Sequence, residues 1–90
     1  MYINIKYNSI IATAAGKESE VVKLKKESTI EDLVVLLSEC YGGRFKDVVF
    51  MNSGTRRYLI SFIVNNTLSL PDKVLQDGDE VVFVLALGGG

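Results

Sequence analysis

The feature that most constrains this chain is Val81-Val82-Phe83-Val84-Leu85-Ala86-Leu87, seven apolar residues in succession. A strand with one solvated face alternates, so an unbroken apolar run of this length predicts a strand covered on both faces in the middle of a sheet. Gly88-Gly89-Gly90 follows and cannot extend that core, because glycine buries no side chain and loses the most backbone entropy on ordering. The expectation is a folded unit over residues 1–87 and a flexible glycine tail over 88–90. Such a tail contributes nothing to stability. Its slimness suits passage through a channel too tight for any side chain.

At 90 residues the chain has room for one hydrophobic core and no second. Basic and acidic residues nearly cancel, to a net charge of −1, so no footprint for nucleic acid or an anionic membrane is predicted. No apolar stretch approaches the roughly 20 residues of a membrane helix, and Met1-Tyr2-Ile3-Asn4-Ile5 lacks a signal-peptide pattern. A single cysteine, Cys40, allows no internal disulfide and fits a reducing, cytoplasmic setting.

From the beginning of the chain, Ile3, Ile5 and Tyr7 alternate with Tyr2, Asn4 and Lys6, the period of a strand with one face on a core. Residues 8–17 show no clean period and read as a connection, with Ile10 and Ile11 available to continue the strand. Glu20 to Lys25 reads as a second strand with Val22 and Leu24 inward, making a hairpin. Ser28 and Glu31 have capping-box spacing, and Ile30, Leu33, Val34, Leu37 and Tyr41, with Cys40 beside them, form the apolar stripe of a helix of about 12 residues. Gly42-Gly43 is expected to close it through a left-handed cap. The apolar run Val48 to Met51, the turn Asn52-Ser53-Gly54-Thr55 and a strand over Arg56 to Val64 predict a further hairpin, ended by Asn65-Asn66. Leu68, Leu70, Val74 and Leu75 around Pro71 suggest a packed irregular crossing with one helical turn, and Gln76-Asp77-Gly78-Asp79 a last tight turn.

This order predicts an α+β fold, a mixed sheet of four to five strands over one main helix, with the last strand central and parallel to the first. At this point the chain resembles the β-grasp, ubiquitin-like sulfur carriers of the MoaD and ThiS type. The residues that carry the resemblance are Ser28-Thr29-Ile30-Glu31-Asp32-Leu33, Ile63-Val64-Asn65-Asn66, Leu75-Gln76-Asp77-Gly78-Asp79-Glu80-Val81 and the terminal Gly89-Gly90. Length favours the MoaD side, with archaeal small modifiers and the eukaryotic ubiquitin-related modifier close to it. Val84 to Leu87 stands where MoaD-like chains often carry prolines, and Gly88 is an additional glycine.

The chain itself holds nothing to activate a carboxylate: no histidine, no phosphate-binding Gly-x-x-x-x-Gly-Lys loop and no cysteine pair. It is therefore expected to be a carrier rather than an enzyme, with no bound cofactor. The resemblance implies that a separate adenylating enzyme, of the MoeB or ThiF type and related to ubiquitin-activating enzymes, uses ATP to convert the carboxylate of Gly90 to an acyl-adenylate. Sulfur then replaces the nucleotide to give a thiocarboxylate, with Gly88 and Gly89 threading the channel. It also implies an acceptor, the large subunit of molybdopterin synthase in molybdenum cofactor biosynthesis or another sulfur-accepting enzyme, and as alternatives conjugation to the lysines of target proteins or sulfur donation for tRNA thiolation, through Gly90. A third reading is a β-grasp interaction domain whose tail is inert.

A tail needs a docking face beside it. The strand ending at Val64 offers Tyr58, Ile60 and Phe62, or alternatively Leu59, Ser61 and Ile63, with Arg56 and Arg57 as a charged rim and Leu87 near the tail. Core and solvated charge are the competing assignment. Cys40 reads as a small core residue, Lys23, Lys25 and Lys26 as a solvated edge, and Gly42-Gly43 as a cap rather than a phosphate cradle. Asp77, Asp79 and Glu80 read as turn formers rather than a metal site. At ~3.3 Å per extended residue they stand about 30 Å from the tail.

Overall fold

The computed structural model describes residues 1–52, 56–58 and 60–85, with Ser9, 48–52 and 56–58 described by their backbone alone. β1 (Tyr2–Tyr7) buries Ile3, Ile5 and Tyr7 on one face, as its alternation requires. It pairs antiparallel with β2 (Ser19–Lys23), but no tight hairpin joins them. The connection is a helix, α1 (Ser9–Ala15), that places Ile11 and Ala15 in the core and stops at Gly16, where φ is 79°. Neither a plain connection nor a longer strand over Ile10 and Ile11 is found. The three alanines at 12, 14 and 15 favour helix, and Ile10 is left exposed.

The main helix, α2 (Ile30–Tyr41), has the expected 12 residues, but its cap lies one residue later than Ser28. Thr29 Oγ1 accepts from the Asp32 amide at 3.2 Å, and Asp32 Oδ2 accepts from the Thr29 amide at 2.8 Å. The shift follows from the chain before it, which stays extended because Ser28 accepts from the Leu75 amide and Thr29 bridges to Val74. Ile30, Leu33, Val34 and Leu37 are buried as predicted, whereas Cys40 is exposed and Ser38 takes the buried place. The reason is α3 (Gly43–Val49), which packs on that side of α2 and buries Phe45 completely.

Gly42 makes the turn between these helices at φ 77° and ψ −155°, an extended mirror-image conformation reserved for glycine rather than the left-handed cap. Val48 and Val49 end α3, so only β3 (Phe50–Asn52) remains of that expected strand. It pairs with β4 (Arg56–Tyr58) in a separate two-stranded ribbon, the turn residues 53–55 lying outside the described set. The single strand expected over 56–64 is thus two, since β5 (Ile60–Val64) belongs to the main sheet.

Asn65 and Asn66, at φ 49° and 69°, form the two-residue turn into β6 (Thr67–Ser69). Beyond it the crossing is not packed as expected: Leu68, Leu70 and Val74 are exposed, Leu75 alone is buried, and no helical turn forms. The last strand, β7 (Glu80–Leu85), lies between β1 and β5 in a five-stranded sheet of order β2-β1-β7-β5-β6. It runs parallel to β1 and antiparallel to β5, in the predicted central place. Val81 and Phe83 face the helices with Ile60, Phe62 and Val64, closing a core on one side of the sheet.

Candidate functional site

The end of β7 has different neighbours on its two sides. Against β1 the register ends at Tyr7 opposite Phe83, and the Asn8 amide donates to the Phe83 carbonyl at 3.1 Å before the chain turns into α1. Against β5 it continues to Ile60 opposite Leu85. Leu87 and the candidate tail residues Gly88, Gly89 and Gly90, with the boundary expected after residue 87, lie outside the described residues.

Among the described residues only one face of β7 is fully covered. Val82 and Val84 point away from the helices and stay half-buried on the open side of the sheet, so the expectation of cover on both faces is not met. Val82 stands opposite Ile63, Val84 opposite Ser61, and Ile63 opposite Leu68, which is 71% exposed. This is an apolar patch, flanked from β1 by Asn4 and Lys6, with Lys6 Nζ 3.5 Å from Glu80 Oε2. Ile60 and Phe62, the candidates for partner contact, are 4% and 2% exposed and belong to the core. A partner cannot reach them. Alternation puts Ser61 and Ile63 outward instead, the other of the two sets left open by the sequence. Arg56 and Tyr58 lie on the β3–β4 ribbon, immediately ahead of the β5 residue that pairs with Leu85.

The acidic turn at the opposite end of β7 is structural. Asp77 Oδ1 accepts from the Tyr2 amide at 2.7 Å, Asp79 Oδ2 from the Gln76 amide at 2.9 Å, and Asp79 Oδ1 from Asn65 Nδ2 at 2.9 Å. Each carboxylate is occupied with holding backbone. Gly78, at φ 86°, completes the turn by donating to the Tyr2 carbonyl. Lys23, Lys25 and Lys26 are exposed, as the sequence predicts.

One polar cluster escaped the sequence reading. Tyr7 donates its phenol proton to Glu20 Oε2 at 2.6 Å, and the Tyr41 phenol donates to the same oxygen. Lys17 Nζ lies 3.7 Å from Glu20 Oε1 and 5.5 Å from the centre of the Tyr41 ring. These four residues come from β1, β2, the end of α2 and the α1–β2 connection, so no local spacing announces them. Burial and the adjacent Glu20 carboxylate push the Tyr7 phenol well above its ordinary value near 10, and the same two causes raise Tyr41. Above pH 10 the unfolded chain releases the Tyr7 proton while the folded one keeps it. Stability is thus fully present below that pH and falls above it, by up to about 1.4 kcal/mol per pH unit for this group. Urea unfolding at successive alkaline pH values should show the slope, and Tyr7→Phe should reduce it; an equal slope in that variant would assign the effect elsewhere.

A five-stranded mixed sheet whose last strand lies centrally and parallel to the first, wrapped around one main helix, defines the ubiquitin-like β-grasp class. Solved structures agree. SAMP1 of Haloferax volcanii, a small archaeal modifier protein, superposes with a TM-score of 0.83 at 20% identity over 100% of both chains. Urm1 of Trypanosoma brucei gives 0.74 at 26% identity, over 99% of this chain and 95% of that one. A chain from the complex of subunits 1 and 2 of molybdopterin-converting factor of Helicobacter pylori gives 0.63 at 19% identity over 100% of both. No curated protein matches the sequence. The ThiS family model matches residues 5–90, and the chain belongs to that family, with its ubiquitin-like sulfur-carrier fold. Among the described residues no helix is long and apolar enough to cross a membrane.

Proposed function

We propose that this protein is a sulfur carrier whose reacting atom is the carboxyl carbon of Gly90. The observation that carries this reading is that the ThiS match runs to residue 90, and so takes in the three glycines beyond the central strand. In the proposed chemistry a partner enzyme binds ATP and the Gly90 carboxylate attacks the α-phosphorus, releasing pyrophosphate and leaving an acyl-adenylate. A sulfide-equivalent donor then attacks the carbonyl carbon, AMP departs with its oxygen, and a thiocarboxylate remains. The proposed acceptor is a larger subunit that uses the thiocarboxylate, by analogy with the paired subunits of molybdopterin-converting factor.

Ordering three glycines in a channel costs about 3–6 kcal/mol at 1–2 kcal/mol per residue. At about 25 cal/mol per Å², removing roughly 120–240 Å² of apolar surface from water offsets that cost. Val82, Val84, Ile63 and Leu68 form an apolar patch of suitable character on the open face of the tail's own strand. The patch is the proposed docking face. It takes over the role expected of Ile60 and Phe62.

Intact-mass measurement after incubation with the adenylating enzyme, ATP and a sulfur source tests the reading. The chain should gain the difference between sulfur and oxygen at Gly90, and no gain counts against a carrier. Leu68→Glu, at an exposed position, should leave Tm unchanged and raise the KM for adenylation about tenfold, equivalent to about 1.4 kcal/mol. A second reading, conjugation of Gly90 to lysines of target proteins, is favoured by the likeness to a small archaeal modifier protein. It predicts high-mass conjugates in cell extracts that vanish when Gly90 is deleted.

A further inference from the structure

The cluster around Glu20 bears on where the tail strand parts from β1. Up to Phe83, β7 is held on both sides; beyond it, Val84 and Leu85 pair only with β5. Among the described residues the Asn8 amide bond to the Phe83 carbonyl is therefore the last backbone hydrogen bond on the β1 side. Phe83 is fully buried and meets Tyr7 and Phe62 edge-on, with ring centres 5.5 and 5.3 Å away. Tyr7 is fixed in turn by Phe45 on one side and by its phenol on Glu20.

Glu20 lies on an edge strand, where water is the easy partner for a carboxylate. Its side chain is instead 16% exposed and accepts two phenols on one oxygen. Desolvating a carboxylate costs free energy that such bonds largely cancel, so the arrangement contributes orientation more than net stability. What it orients is Tyr7, and through Tyr7 the ring of Phe83.

We propose that Glu20 is a positioning residue. Through Tyr7 it fixes Phe83, and with it the point at which β7 parts from β1 and runs on beside β5 alone toward the glycines offered to an enzyme. The functional half of the proposal rests on the carrier reading above; the physical half does not.

The test uses the full chain with Glu20→Leu, Tyr7→Phe and Glu20→Gln, the last keeping an oxygen that accepts from both phenols. Amide hydrogen exchange followed by NMR should quicken at Asn8 at least about tenfold more than at Ile5 in the first two variants, and little in Glu20→Gln. With the adenylating enzyme, kcat for ATP–pyrophosphate exchange should fall about tenfold in the same two variants while KM stays within about twofold, because the docking face is intact. Should Glu20→Leu fail to fold, Tyr7→Phe carries the test. Exchange at Asn8 that follows Ile5 overturns the proposal, as does quickened local exchange with kcat unchanged. If the unmodified chain is never adenylated yet Asn8 responds as stated, the carrier reading fails and Glu20's control of the point at which β7 parts from β1 stands.

Discussion

Deleting Gly90, or replacing Gly89 by phenylalanine, is expected to leave thermal unfolding within about 2 °C of the unmodified chain and to abolish thiocarboxylate formation. The deletion withdraws the proposed reacting carbon from the site that adenylates it. The substitution leaves that carbon in place but adds a ring to the segment proposed to thread a tight channel, and narrows the backbone angles open to it. Differential scanning calorimetry and intact-mass analysis of the same samples check the two halves separately. A large loss of stability on either change would mean that the glycines are packed against the domain, and the carrier reading would then lose its physical basis. Retained thiolation in Gly89→Phe would mean that the channel is wide, and that glycine was not needed for passage.

The second large effect falls on the fold. Phe83→Ala should destabilise the domain by about 3–5 kcal/mol, the cost of removing a buried aromatic ring and leaving its cavity. A 90-residue domain commonly has about 5–13 kcal/mol in total, so this single change removes a large share. Few positions should cost more, because Phe83 is fully buried on the central strand and its ring meets both Tyr7 and Phe62. The check is the urea midpoint at constant slope, with Val84→Ala, on the open face, as the comparison expected to cost much less. If the two cost the same, the core does not centre on the helix-facing side of β7.

The elements with strong local chemistry were legible in the sequence. Alternation in Tyr2 to Tyr7, the 3-and-4 spacing of Ile30 to Leu37, the Asn65-Asn66 turn and the Gln76 to Asp79 turn each appear where expected, because short-range patterns specify them. The helix cap moved from Ser28 to Thr29 for a non-local reason, the pairing of that segment with Val74 and Leu75. α1 was obscured by its length: seven residues give only two i, i+4 apolar pairs, Ile10 with Ala14 and Ile11 with Ala15, too little to establish a period. The separation of β4 from β5 leaves no mark in a run of β-formers from Arg56 to Val64.

For the site, the glycines are read from the sequence and lie outside the described residues, and the exposed set of β5 was left open. Choosing between the two alternating sets of β5 needs to know which side the helices cover, and that is a tertiary fact. The apolar run of β7 was rightly assigned to the centre of the sheet and wrongly to double cover. Its outer valines, Val82 and Val84, stay half-buried on the side away from the helices, the surplus that the proposed docking face would use. The Glu20 cluster was out of reach, since its residues are gathered from four separate parts of the chain.

The pairing of β1 with β7 also bears on how the protein comes into being. Asn4 stands beside Glu80, so the two strands at the centre of the sheet are separated by almost the whole length of the chain. Closing so long a loop is entropically slow, and folding is expected in milliseconds or longer rather than microseconds. A nascent chain on the ribosome has β1, β2 and α2 early, yet no neighbour for the inner edge of β1 until β7 emerges. β7 thus completes the sheet, and a translation product cut short before Phe83 would lack the central strand of the core as well as the glycines.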